Sequence, residues 1–600
     1  MRFRLDEKGS TLTLVLLISA VFAIIGLTLI STTINGEKKT NTREAEVQAT
    51  YLAEKGMDYT SAKINNKLKT DIGNGILVSQ FPATFTNVIN FVKGKVIGKT
   101  INPSGNGTYT VKDIQFTDTS STTPNRKSVT IQVEANVKNQ TKLLKRTIFF
   151  GTGNAPEILK YALGSFCLSK NCLPGEGNMY LQGASQIKGD LYVANNLFVK
   201  DSGPTVYNYN YRYGTYTVPY WNDTLSPQLI PNDSSTKSKI ALGGNLFTFT
   251  DAAPFFNFNF SGLKYESEYK SISNYYQAHL NTPDVTNSFY QNVTNSPANY
   301  FTSSVPSIVK SNFRPPIIEI AGKRNSYKYN WNDSGVSPIP LPNNRMNDSN
   351  TLYKSLKIYP YDKNGTNFDS FILEGNNTIN QFSFPGNTEI TGQSNKISRL
   401  EFTNGAYIGG DLEIGSKSAS NNPNTYPTIQ IRGPIFVDGD LTINNVNGQF
   451  ASLIYVTGKT TIEYSTLNGL NGLNESLKPP GSLIVFSKGD INIQNNSLYD
   501  DNPSYLKGFF YSERDIEMYG VGSNISIDGG LSARKIILNA LAGKYANQGQ
   551  EALIKSSDIN LSRLKINYDP DIIETYANLK ESEPMITDLD EPAIAEPHMK

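Results

Sequence analysis

The sequence predicts a mainly β fold with a long N-terminal α-helix, followed by a small antiparallel sheet and then a right-handed β-solenoid with a large insertion. Three observations predict it. Residues 11–30, TLTLVLLISAVFAIIGLTLI, carry no charge and no proline. Residues 75–151 alternate apolar and polar side chains with period two between Asn/Ser/Thr/Pro turns. From Tyr161 a short cassette recurs, Gly-Asp followed by two apolar residues separated by one.

The apolar run comes first. Twenty residues at 1.5 Å each make a helix of roughly 30 Å, the thickness of a bilayer's hydrocarbon core. A secretory signal would have a shorter apolar core of about 7–15 residues, with small residues after it. Here the small pair, Gly9-Ser10, precedes the run. Beyond Ile30 the helix is expected to continue to about Lys69, because Ala45, Ala49, Leu52, Gly56 and Tyr59 recur at spacings of four and three and give one narrow face. That face suits either the protein's own sheet or neighbouring subunits.

GTYTVKDIQF, SVTIQVEANV and KLLKRTIFF then read as strands of an antiparallel sheet resting on the helix. The cassette appears as IKGDLYV, IGGDLEI, VDGDLTI, FSKGDINI and SERDIEM, with weaker copies in GGNLFTF and TGKTTI. Between Gly410, Gly439, Gly458, Gly489 and Arg514 the separations are 29, 19, 31 and 25, lengths that suit solenoid coils with variable insertions. Glycine is expected to supply an unusual φ at each turn and aspartate to bond its local backbone, while the apolar pair points inward. A β-sandwich with similar strand lengths is the rival architecture. Residues 201–376 interrupt the pattern with both tryptophans, Trp221 and Trp331, and tyrosine clusters such as TVYNYNYRYGTYTVPYW; one helix is expected near residues 265–279. The stretch reads either as an insertion packed on the solenoid's side or as a recognition surface, since a tyrosine ring beside an amide can hold a sugar or a protein. The end of the chain, from Ser582, is acidic, contains proline and lacks periodicity, so disorder is expected there.

Composition narrows the function. Lys+Arg 55 against Asp+Glu 53 leaves a formal charge of +2, which gives no direct support for binding nucleic acid. Cys167 and Cys172 sit five apart and would close a small disulfide loop outside the cell, or stay as two thiols. No zinc ligand set surrounds them. His279 and His598 do not make a pair, and no phosphate loop, G-x-S-x-G elbow or H-E-x-x-H occurs. Residues 362–369, DKNGTNFD, resemble a calcium loop only faintly and read as a surface turn. No cofactor, no metal and no enzymatic activity are expected. An anchored carbohydrate-active enzyme would need acids converging in one groove rather than isolated turn aspartates.

Lys8-Gly9-Ser10, the run to Ile30 and the later YLAEKGMDY (residues 51–59) together resemble the class III prepilin leader of type IV pilins and pseudopilins, most closely the PilX-type N-terminus. The resemblance implies cleavage by prepilin peptidase between Gly9 and Ser10, and association with other pilin-like subunits. It also implies that the leader stays inside and the bulk of the chain lies outside, on a single-pass membrane helix. Arg2, Arg4 and Lys8 before the run, against Lys38, Lys39 and Arg43 after it, do not decide that orientation. Major pilins carry glutamate at the fifth mature position; here that position is Leu14, which points to a minor or tip component. The repeat region resembles bactofilin-like β-helices at the level of pattern. The expected organisation is a leader over 1–9, helix over 10–69, pilin-like β domain over 70–155, solenoid over 156–200 and 377–545, insertion over 201–376 and C-terminal extension over 546–600. A surface glycan or protein is the candidate ligand.

Overall fold

The computed structural model describes residues 7–73, 75–103, 107–117, 125–152, 155–169, 171–211, 214–233, 237–251, 280, 285–286, 288–312, 314–315, 317–329, 344–346, 349–353, 356–358, 369–393, 396–416, 423–470, 481–497, 500–545, 553–587 and 589–594. The helix expected near 265–279, both histidines, Trp331 and residues 362–368 lie outside these.

A single helix, α1 (Glu7–Ile72), opens the chain. Its second half packs on a head made of α2 (Phe81–Val96) and an antiparallel sheet of Thr100–Ile101, Thr108–Thr117, Arg126–Val137 and Gln140–Gly151. Val137 pairs with Gln140 across a two-residue turn, and Lys138 and Asn139 both take positive φ, the geometry that matches the twist of a tight hairpin. Ala49, Met57, Ile64 and Leu68 of α1 share one buried core with Phe85 and Val88 of α2 and Val111, Ile131 and Val133 of the sheet. The three long strands fall where the alternation placed them. Strand-like sequence was expected from Gly75, yet residues 81–96 are helical, with Phe81, Phe85, Val88, Ile89, Val92 and Val96 buried at helical spacing. Those β-type side chains masked the 3.6 period, and packing overrode their propensity.

Among the described residues, two further helices of more than one turn, α3 (Lys323–Tyr329) and α4 (Asp571–Lys580), lie in the second part of the chain. There most strands join one large sheet in parallel pairing, unlike the antiparallel sheets of a sandwich. Three ladders run along it. In one, Leu412, Leu441, Thr460, Ile491, Ile516, Ile536, Met179, Leu197 and Leu246 are successive partners. A second passes from Leu467 through Leu506, Ile527, Ile566 and Ile187 to Leu229. The third passes from Ile435 through Ile454, Val485, Phe510, Leu531, Leu163 and Leu191 to Ile240. Side chains from all three ladders meet in one apolar core.

The ladders are not in chain order. The strand Ile525–Ala540 is followed in space by Leu163–Ser165 and Met179–Gly183, and the third side of that level comes from Leu564–Tyr568. One level is thus built from segments about four hundred residues apart, and the chain enters and leaves the stack at this inner seam. The ladders also reach into residues 228–310 and 345–373, which the sequence placed in the insertion. Long excursions there break the period that identifies coils elsewhere. Only GGNLFTF kept a trace of it, and Leu246–Phe249 does pair in parallel with the strand Leu197–Lys200.

The outer side of the third ladder carries Tyr407, Phe436, Tyr455, Phe486 and Tyr511, which share one buried cluster with Ile318, Ile320 and Tyr327 and with Ile572, Tyr576 and Leu579 of α4. After α4 the chain returns to the head. Met585–Ile586 pairs with Ile76–Leu77, and Ala593–Ile594 adds a strand beside Gln140–Gly151. The disorder expected from Ser582 is therefore corrected through Ile594: backbone pairing and burial of Glu583 hold a segment whose side chains show no amphipathic period.

Candidate functional site: the N-terminal helix

Two environments meet on α1. From Leu12 to Ile34 its large apolar side chains are exposed, Phe22 and Leu27 each at 69%. Hydroxyls in this half bond back into the helix: Thr32 Oγ1 donates to the Thr28 carbonyl (2.7 Å) and Thr33 Oγ1 to the Leu29 carbonyl (2.9 Å). Such polar groups need no water, a requirement of any segment within hydrocarbon. By length and composition this helix can cross a membrane. Gly9 and Ser10 lie in its first turns, and Leu14, 57% exposed, leaves the fifth position after Gly9 without a charge.

Burial begins at Ala45 and follows Ala45, Ala49, Leu52, Met57, Thr60, Ile64, Leu68 and Ile72. Tyr59, expected on this stripe, points out instead and is 43% exposed; Thr60 takes its place and donates to the Gly56 carbonyl. At Gly56 the helix backbone meets the sheet so closely that a Cβ would stand 2.7 Å from Tyr109 Cδ2 and 2.8 Å from Val133 Cγ1. Arg146 reinforces the contact from outside, at 3.4 Å from Asp58 and 3.6 Å from Glu54.

Cys167 and Cys172 are joined, their Cα atoms 5.2 Å apart. The Gly-Asp cassettes stack, and Gly189 takes the expected positive φ, whereas Gly410, Gly439, Gly458 and Gly489 do not. Glycine is needed there for close approach: a Cβ on Gly439 would lie 2.7 Å from the Gly410 carbonyl carbon, and one on Gly458 2.7 Å from the Gly439 oxygen. The aspartates reach across levels instead of bonding locally. Asp190 accepts from Lys239 N (2.8 Å), Asp411 from Asp440 N (2.8 Å) and Asp440 from Lys459 N (2.9 Å). These carboxylates are structural ties between coils.

A buried polar cluster escaped the sequence entirely. Glu583 accepts from Lys323 Nζ (2.7 Å), Lys580 Nζ (3.2 Å) and Tyr455 Oη (2.7 Å). Burial, with Glu583 adding to it, holds the Tyr455 hydroxyl well above its usual pKa. Two residues earlier, both Glu581 carboxylate oxygens accept from the Asn125 backbone N–H of the head. Burial pushes the Glu581 carboxyl up to about 7, against the pull of Asn125, Lys127 and Lys580. No local pattern marks this cluster, since Lys323 and Tyr455 lie far in sequence from Glu583 and only Lys580 is near it. Among the described residues no cluster of His, Cys, Asp or Glu is placed to hold a metal ion. Trp221 and the tyrosines around it lie on a hairpin, Ser202–Tyr211 with Gly214–Asp223, whose described part is the backbone pairing.

No protein-family model matches the chain, and no curated protein matches it. Among solved structures the chain is similar to the competence-associated pilin ComZ from Thermus thermophilus, at 10% identity and a TM-score of 0.22, over 92% of this chain and 96% of that one. At that score the likeness carries no argument.

Proposed function

We propose that the chain is a membrane-anchored, pilin-like structural subunit: prepilin peptidase cuts it between Gly9 and Ser10, α1 holds it in the membrane, and the parallel stack, read as a β-solenoid, is displayed outside the cell in a pilus-like assembly. The observation that carries this reading is the division of α1. One unbroken helix exposes its large apolar side chains from Leu12 to Ile34 and seats its second half in the head, so the same rod serves lipid or neighbouring subunits at one end and its own domain at the other. The PilX-like residues 8–10 and 51–59 support the processing step. The uncharged Leu14 favours a minor or tip position, because a carboxylate in the apolar zone is retained only where it has a partner. The cross-coil role of the turn aspartates accounts for their recurrence without catalysis.

The test is the mature N-terminus after co-expression with a prepilin peptidase. Ser10 as the first residue supports the proposal; an intact Met1, or a cut beyond Ile30, overturns it.

A further inference from the structure

The seam where the chain enters and leaves the stack carries a cleft that the function above leaves unused. Its cavity measures about 470 Å³ and is lined by Lys188, Lys507, Asp528, Asn567, Tyr568 and Asp569. Four of these form one column on successive strands: Lys507 pairs with Asp528, Asp528 with Asn567, and Asn567 with Lys188. Parallel strands lie about 4.8 Å apart, so the column repeats at that interval along the stack. Three distant chain segments meet here because Leu564–Tyr568 completes a level opened by Leu163–Ser165.

The groups are held in place before any ligand arrives. Asp528 accepts from Asn567 Nδ2 (2.9 Å) and from Tyr505 Oη (2.6 Å), while Lys507 Nζ lies 2.8 Å from Asp569. Two ammonium groups face two carboxylates, so the cleft is balanced and offers a charged ligand as much repulsion as attraction. A hydroxyl suits it better: it donates once and accepts twice, and neighbouring hydroxyls can bond a carboxylate and an ammonium together without separating them. A linear arrangement of such groups calls for a linear ligand. We propose that the Lys507, Asp528, Asn567 and Lys188 column binds a neutral polysaccharide chain lying along the stack.

Calorimetric titration of the full chain, in a detergent without a sugar headgroup, tests this with cellohexaose, maltohexaose and chitohexaose, and with hexagalacturonate as the acidic control. At least one neutral hexamer is expected to bind, and Lys188→Ala and Asn567→Ala are each expected to weaken it by about tenfold, with hexagalacturonate the weaker ligand. Thermal melting checks the fold of each variant. Lys188 is exposed, so K188A keeps the test valid should N567A disturb the seam. The proposal is overturned if no neutral hexamer binds at about 10 mM, if K188A leaves the affinity unchanged, or if the acidic oligomer binds best.

Discussion

Lys323 and Glu583, 260 residues apart in sequence, meet at 2.7 Å with almost no exposure, 2% and 3% of their side chains. Their pairing joins α3 to the segment that returns to the head, and Lys580 and Tyr455 complete the shell around the carboxylate. Deleting one member of such a group leaves a buried charge without its counterpart. Glu583→Ala is expected to cost about 3–5 kcal/mol in denaturant unfolding, whereas replacing Lys323, Lys580 and Glu583 together with apolar residues costs far less. Equal losses for the single and triple variants would contradict a coupled group.

The glycine column gives a second expectation. Gly458→Ala sets a methyl group 2.7 Å from the Gly439 carbonyl oxygen, and the coils must part locally to admit it. Overpacking of this kind is expected to cost about 1–3 kcal/mol. Gly36→Ala, on α1 with nothing within 4 Å, is expected to be neutral or to favour the helix by up to about 1 kcal/mol. Thermal melting of the pair in parallel separates close approach from a general dislike of substitution at glycine.

Truncation after residue 552 removes Leu564–Tyr568 and both strands that return to the head. Gln186–Lys188 and the start of Ile525–Ala540 then face each other across one emptied side of that level, with unpaired backbone groups on both. Limited proteolysis is expected to cut first near residues 183–190 in the truncated chain and to spare that stretch in the full one.

Glu581 predicts a pH dependence. Its folded pKa, about 7, stands above the ordinary 4.5, so its contribution is fully present below about pH 4.5 and is lost as pH rises to about 7. Allowing for solvent screening of a partly exposed group, the loss is on the order of 1–2 kcal/mol. Glu581→Gln keeps an acceptor for the Asn125 N–H and is expected to flatten stability between pH 5 and 8 (roughly this window) in denaturant titrations. An unchanged slope would place the titration elsewhere.

Local order was legible in the sequence and long-range order was not. The apolar run of residues 11–30, the alternation in SVTIQVEANV and the Gly-Asp cassettes each report a period set by one element alone. α2 was hidden because Phe, Val, Ile and Thr favour strands in isolation, and only burial against α1 decides for helix. That Ile536 is followed in space by Met179 has no local signal, since each strand would pair as well with any apolar neighbour of its length. The Glu583 cluster was invisible for the same reason: three chain segments separated by more than a hundred residues supply it.

The junction of head and stack at an inner seam has a mechanical consequence. The head and the returning chain both join the stack at the level of Ile525–Ala540, Met179–Gly183 and Leu564–Tyr568, and further strands pair on either side of it. Strands could be added to or removed from either end of the ladders without moving that junction, so reach and anchorage are free to vary independently.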